Sequence, residues 1–171
     1  NDAAVKIATD YSRRQKGIGI GRNALRCNTA GKYNASVGTC AMYCNKIGGG
    51  NAALGNCALW NVFSCNNVGV GNNAGACITT GCLNTAVGAS ALMGYNTQVT
   101  GGDNVGVGYF AGGRISCGTG NVAVGARTMC NLSTSSYNTA VGYCSQLTRS
   151  TGAYNTTLGA MSKCCDSSGS C

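Results

Sequence analysis

The chain contains no histidine, no glutamate and no proline, and only 9% of its residues are charged. Without histidine, Ser-His-Asp and Cys-His nucleophile systems and His-ligated metal sites are excluded. The only acids are Asp2, Asp10, Asp103 and Asp166. They are too few and too scattered for the paired carboxylates of glycoside hydrolysis or for an oxygen cage around calcium. Aromatics are 6% of the chain, so the 44% hydrophobic content is mostly small: Ala, Val and Cys. Such side chains cannot fill a broad core, but they can fill a thin one. No apolar run approaches the ~18–20 residues that span a bilayer. With no metal or cofactor motif either, the composition predicts a protein that is not an enzyme and carries no cofactor.

What is present is glycine, cysteine and positive charge: 28 Gly, 13 Cys and a net charge of +8 over 171 residues. Seven of the twelve basic residues lie at or before Lys32: Lys6, Arg13, Arg14, Lys16, Arg22, Arg26 and Lys32. No continuous basic stripe with interleaved aromatics follows, so nucleic acid is not the expected partner. The basic end is expected to be a solvated face. The chain starts at Asn1 without a signal-peptide pattern, which suggests a processed product or a fragment of a longer chain. There is no C-x-x-C, and Cys164 and Cys165 are adjacent. That spacing disfavours a zinc ribbon and points to an oxidising location.

An internal repeat organises the chain. Nine copies of an N-x-small-aliphatic-Gly pattern begin at Gly17, Asn34, Asn51, Asn67, Asn84, Asn104, Asn121, Asn138 and Asn155. Seven of the copies are spaced by 16 or 17 residues, and the copy at Asn84 is 20 long. Residues 1–16 form a leader or cap and 17–171 the repeat domain. Position 1 is Asn in eight of nine copies and position 3 is small. Position 4 is aliphatic, and position 8 is Ala, Ser or Thr. Position 5 is always Gly: Gly21, Gly38, Gly55, Gly71, Gly88, Gly108, Gly125, Gly142 and Gly159.

Glycine recurring inside helices would cost about 0.5–1 kcal/mol per copy, whereas β-branched residues with Gly and Asn suit short strands and turns. The expected fold is therefore all-β: a β-solenoid, of β-roll or β-helix type, with nine coils of about 17 residues. Identical positions would stack ~4.8 Å apart, giving a rod of roughly 43 Å. Asn and Gly are expected at the corners, with the Asn side chains hydrogen-bonded along the rod. Strand alternation places positions 2 and 4 on one face and 3 and 5 on the other. The aliphatic face is the expected interior. The small-residue face is then expected to pack against a neighbouring copy in a homo-oligomer, preferably a trimer. Alternatively, the glycines serve the corners of a monomeric coil.

Three cysteine pairs are one repeat apart: Cys27–Cys44, Cys40–Cys57 and Cys65–Cys82. They are the candidate disulfides between adjacent coils. Cys77, Cys117, Cys130 and Cys144 have no evident partner. Thirteen is odd, and Cys164, Cys165 and Cys171 are the candidates for an intermolecular bond. Sequons begin at Asn34, Asn131 and Asn155.

Copies such as Asn84-Thr85-Ala86-Val87-Gly88 and Asn138-Thr139-Ala140-Val141-Gly142 resemble the NTAVG repeats of phage and giant-virus tail fibres. They are also similar to the head repeats of YadA-type trimeric autotransporter adhesins. The resemblance implies a trimeric β-roll exposed outside the cell or on a virion.

The leading functional expectation is a disulfide-stapled rod within a fibre or filament, its partners copies of itself. Growth by head-to-tail stacking on an uncapped coil is part of that expectation. The alternative is an adhesin whose partner is a cell-surface receptor or glycan. It would use the insertion around Thr97–Asp103 and the aromatics Trp60, Phe63, Tyr109 and Phe110. An ice-binding solenoid is third, since position 2 is Thr only at Thr85, Thr139 and Thr156.

Overall fold

A computed structural model describes residues 17–146 and 152–163. Each described copy of the repeat opens with one short strand: β1 (Gly17–Ile20), β2 (Asn34–Val37), β3 (Ala52–Leu54), β4 (Val68–Val70), β5 (Thr85–Val87), β6 (Val105–Val107), β7 (Val122–Val124), β8 (Thr139–Val141) and β9 (Thr156–Leu158). The strands form one nine-stranded sheet in chain order, every pairing parallel. Equivalent repeat positions pair throughout, for example Val87 with Val107 and Val107 with Val124. The predicted β-solenoid is thus observed, with about eight turns. Eight steps of about 4.8 Å place β9 roughly 38 Å from β1. The leader, residues 1–16, lies outside the described residues.

The backbone turns immediately after each strand. The position-5 glycines have φ between 110° and 137°. A Cβ there would collide with the next coil: at Gly88 it would lie 2.7 Å from the Gly108 carbonyl carbon. Glycine is therefore required both for its dihedral and for the close stacking of backbone on backbone. The rest of the turn alternates left-handed residues at positions 7 and 9, as at Cys57 and Leu59 or Ser90 and Leu92. Left-handed Leu and Ser are costly alone, at about 1–2 kcal/mol each. They persist because the coil-to-coil hydrogen bonds fix them. Position 7 donates to the previous coil, as Cys57 N–H to Thr39 O. Position 9 donates to the next, as Leu59 N–H to Ala74 O.

The position-1 asparagines form the predicted ladder, and it is buried. From Asn51 to Asn155, each donates its backbone N–H and its Nδ2 to the Oδ1 of the asparagine one coil earlier. Most of these amides also donate Nδ2 to a carbonyl of the adjoining loop, such as Gly118 O for Asn104. A buried amide is costly unless paired, and this arrangement pairs it at every rung.

The interior differs from the expectation in one respect. Position 3, not positions 2 and 4, faces inward. Ala86, Ala123 and Ala140 are fully buried, while Ile18, Ile20, Val37, Leu54 and Leu158 are exposed. The reason is thickness. The core is filled from the opposite wall by position 9 (Met42, Leu59, Leu92, Met129) and by Val62, Ile78, Val99, Ile115 and Leu132. A Cβ at Gly69 would already sit 2.8 Å from Leu59 Cγ, so the strand can contribute only a small side chain. Where position 9 is glycine, at Gly75 and Gly112, an isoleucine three residues on fills the place. A Cβ at Gly75 would lie 2.8 Å from Ile78 Cδ1. The small residues therefore pack within the chain, not against a neighbouring copy.

Candidate functional site: the outward sheet face

Strand alternation leaves positions 2 and 4 on the outer face. Position 2 runs Ile18, Ala35, Ala52, Val68, Thr85, Val105, Val122, Thr139 and Thr156. Position 4 runs Ile20, Val37, Leu54, Val70, Val87, Val107, Val124, Val141 and Leu158. None of these side chains is charged, and each is exposed or half-buried. The face is an uncharged, mainly apolar ladder two side chains wide along the described rod. A contiguous apolar strip on a protein surface marks an interaction site. The threonines Thr85, Thr139 and Thr156 lie on it, but too irregularly to form a threonine ladder.

All ten described cysteines are free thiols. The three predicted disulfides are not formed, although each pair sits at matching positions on adjacent coils. Stacked side chains of a parallel ladder point the same way and stay about 4.8 Å apart, whereas a disulfide brings its two Cβ atoms to about 3.8 Å. Proximity is nonetheless felt. Burial, and then the neighbouring Cys27, push the Cys44 thiol up, against a lowering pull from Lys46. Burial and Cys40 do the same at Cys57. Cys65 and Cys82 are exposed, and Cys65 N–H points at Cys82 Sγ across 3.4 Å. Cys130 and Cys144 are both buried. Burial first, and then Cys144, raise the Cys130 thiol, while Arg127 and Arg114 pull it down. Their spacing of 14 residues hid this pair in the sequence. Cys77 is raised by burial alone. Cys164, Cys165 and Cys171 lie outside the described residues.

The aromatics form three surface groups, one of them the stack of Tyr137 on Tyr154 at 5.1 Å between centroids. Trp60 stacks on Tyr43 at 6.2 Å between centroids, with the Arg26 guanidinium 5.7 Å from the Tyr43 centroid. Phe110 meets Tyr95 edge-on at 6.0 Å and Tyr109 at 6.3 Å, and Arg114 lies 5.6 Å from the Tyr95 centroid. Phe63 is half-buried and joins none of them. The extra residues of the fifth copy bulge at 95–98, which are all exposed. By Val99 the chain is back in register, in a parallel bridge with Ile78. The insertion therefore overlaps the start of the expected Thr97–Asp103 and begins two residues before it. Tyr95, which sequence reasoning passed over, is its aromatic contact.

Two of the sequons start on ladder asparagines. Asn34 is buried and its Nδ2 donates to Gly48 O at 2.8 Å. Asn155 Nδ2 donates to Asn138 Oδ1 at 2.8 Å. Both amides are committed to the fold. Among the described residues, no cluster of three or more Cys or Asp side chains can hold a metal ion. No described helix is long and apolar enough to cross a membrane. No protein-family model, no curated protein and no solved structure matches this chain.

Proposed function

We propose that the protein is a structural rod, a component of an extracellular appendage or virion fibre, held to copies of itself through the outward sheet face. The observation that carries this reading is the uncharged, mainly aliphatic ladder along β1 to β9. A face of this kind excludes water only against a partner with the same 4.8 Å-type spacing, and a second copy of the sheet has it. A trimer about the rod axis satisfies three such faces at once. Native mass spectrometry of the purified protein tests it. The expected result is a mass near three times 17.1 kDa, reduced to one chain by Val87→Lys with Val107→Lys, whose circular dichroism stays that of the parent. A single-chain mass for the parent at high concentration sinks the reading.

A second reading, an adhesin for a receptor or glycan, is favoured by one feature. The bulge at 95–98 breaks the regular surface beside Tyr95, Tyr109, Phe110 and Arg114. Binding to a glycan array that disappears with Tyr95→Ser and Tyr109→Ser would support it. Binding unchanged in those variants would remove the aromatic cluster from consideration.

A further inference from the structure

The stacked pair Cys65 and Cys82 is exposed at both members, whereas Cys27, Cys44, Cys40 and Cys57 are half-buried and Cys130 and Cys144 are buried. Cys65 and Cys82 each lie two residues ahead of a ladder asparagine, Asn67 and Asn84. Their column runs Gly49, Cys65, Cys82, Gly102, and the backbone holds it in register. Leu83 N–H donates to Cys65 O at 3.2 Å, and Asp103 N–H donates to Cys82 O at 3.0 Å. With glycine on either side, no side chain of the column lies over the pair.

Both sulfurs are held in the same way. Gly49 N–H donates to Cys65 Sγ at 3.4 Å, and Cys65 N–H donates to Cys82 Sγ at 3.4 Å. Each thiol points back at the coil before it, so the two sulfurs take equivalent places one coil apart. The rise of the coil sets their separation at about 4.8 Å, more than twice the S–S bond of about 2.05 Å. That separation fits a bridging metal ion: two metal–thiolate bonds of about 2.3 Å laid end to end span about 4.6 Å. The donor set selects the ion. Structural zinc takes four ligands, and iron–sulfur clusters take four cysteines. Calcium and magnesium take oxygen. Among the described residues, no third Cys or Asp joins the pair. Thiolates suit soft ions, and copper(I) is the soft ion that accepts two of them in line.

We propose that Cys65 and Cys82 bind one copper(I) ion as a two-coordinate bis-thiolate bridging adjacent coils. On binding, both S–H bonds break, two Cu–S bonds form and two protons pass to solvent. Copper is neither oxidised nor reduced, and the occupied pair carries a single negative charge. The two N–H···S hydrogen bonds persist, because each donates to a sulfur lone pair and leaves the thiol proton free to depart. At Cys82 that proton has its own direction, since Cys82 Sγ faces Thr80 O at 4.0 Å. The site uses only the stacking of coils within one chain, so it stands independently of the rod reading.

The test is alkylation of the reduced full chain, read cysteine by cysteine through peptide mass spectrometry. It is run anaerobically with and without copper(I), supplied as its bicinchoninate complex. Only a free thiolate is alkylated, so copper(I) is expected to slow the parent at least about tenfold at Cys65 and Cys82 together. Cys117 is an exposed thiol with Thr100 and Thr134 one repeat away on either side, and its rate is expected to stay within about twofold. In Cys82→Ser, Cys65 is expected to react as fast with copper(I) as without it, and Cys65→Ser is expected to do the same to Cys82. Copper-independent rates at Cys65 and Cys82 in the parent overturn the proposal. So do equal protection of Cys117, protection of Cys65 that survives Cys82→Ser, and failure of the pair to react in the reduced, copper-free parent.

Discussion

Coils three to seven and coils eight to nine are written in the same repeat, yet they solve opposite problems. In the middle, Leu59, Leu92 and Met129 are completely buried and each rung rests on another. At the end, Gln146 takes the same inward place with its amide unpaired, and Lys163 takes it exposed. Both regions keep the position-5 glycine, the left-handed residues at 7 and 9 and the parallel register. Backbone stacking therefore does not require an apolar core at every coil. It requires the corner geometry and the hydrogen-bond ladders, while the apolar columns supply stability where neighbours lie on both sides.

The contrast can be broken most severely by overfilling the middle. Gly106→Leu places a large side chain where even a Cβ would be 2.8 Å from Leu92 Cγ. It is expected to cost about 3 kcal/mol or more in urea unfolding, against less than about 1 kcal/mol for Thr157→Val at the end. Equal costs would mean the middle is not tightly packed.

Next is the ladder. Asn84→Ala removes the acceptor of the Asn104 N–H and Nδ2 and the donor to Gly101 O. A loss of about 2–4 kcal/mol is expected, with about 1 kcal/mol for Asn155→Ala. Similar losses at both sites would show that the rungs do not differ between middle and end.

Gln146→Leu has the opposite sign. It restores the residue that Leu25, Leu59 and Leu92 already hold in the same left-handed conformation, and it removes an unpaired buried amide. A gain of about 1–3 kcal/mol is expected, read as a higher urea midpoint. A lower midpoint would show that the amide has a partner in solution.

The smallest effect concerns the thiols. Burial raises Cys44, Cys57, Cys77 and Cys130 above the ordinary thiol range. The folded chain then holds protons that the unfolded chain releases once pH passes about 8.5, so stability is constant below that value and falls above it. The urea midpoint should drop between about pH 7 and pH 9.5, and less so with these four cysteines replaced by alanine. An unchanged midpoint, or an equal drop in the alanine variant, would contradict the shifts.

Much of the fold was legible because a solenoid writes its period directly into the chain. The strands, their register and the asparagine ladder follow from columns spaced by one coil. The inward face was not legible from β1 to β9 alone. Val107 is more apolar than Ala123, and by hydrophobicity it belongs inside. The signal lay outside the strands, in the Leu and Met of position 9 and in the exchange of Gly75 and Gly112 against Ile78 and Ile115. The cysteine columns were legible as neighbours but not as bonds, because period reports adjacency and says nothing of where Cβ vectors point. The pairing of Cys130 with Cys144 and the hydrogen bond from Lys163 to Asn155 cross columns, so no period carries them.

By itself, then, the order of residues determined the architecture: one strand per coil, glycine at each corner and asparagine stacked on asparagine. Those features depend on backbone dihedrals and on identical groups meeting at a fixed rise, which are local properties. Only the tertiary structure decided which face is interior. That choice depends on the distance between two walls of the coil, and the wall that fills the space leaves the other room for alanine or glycine alone.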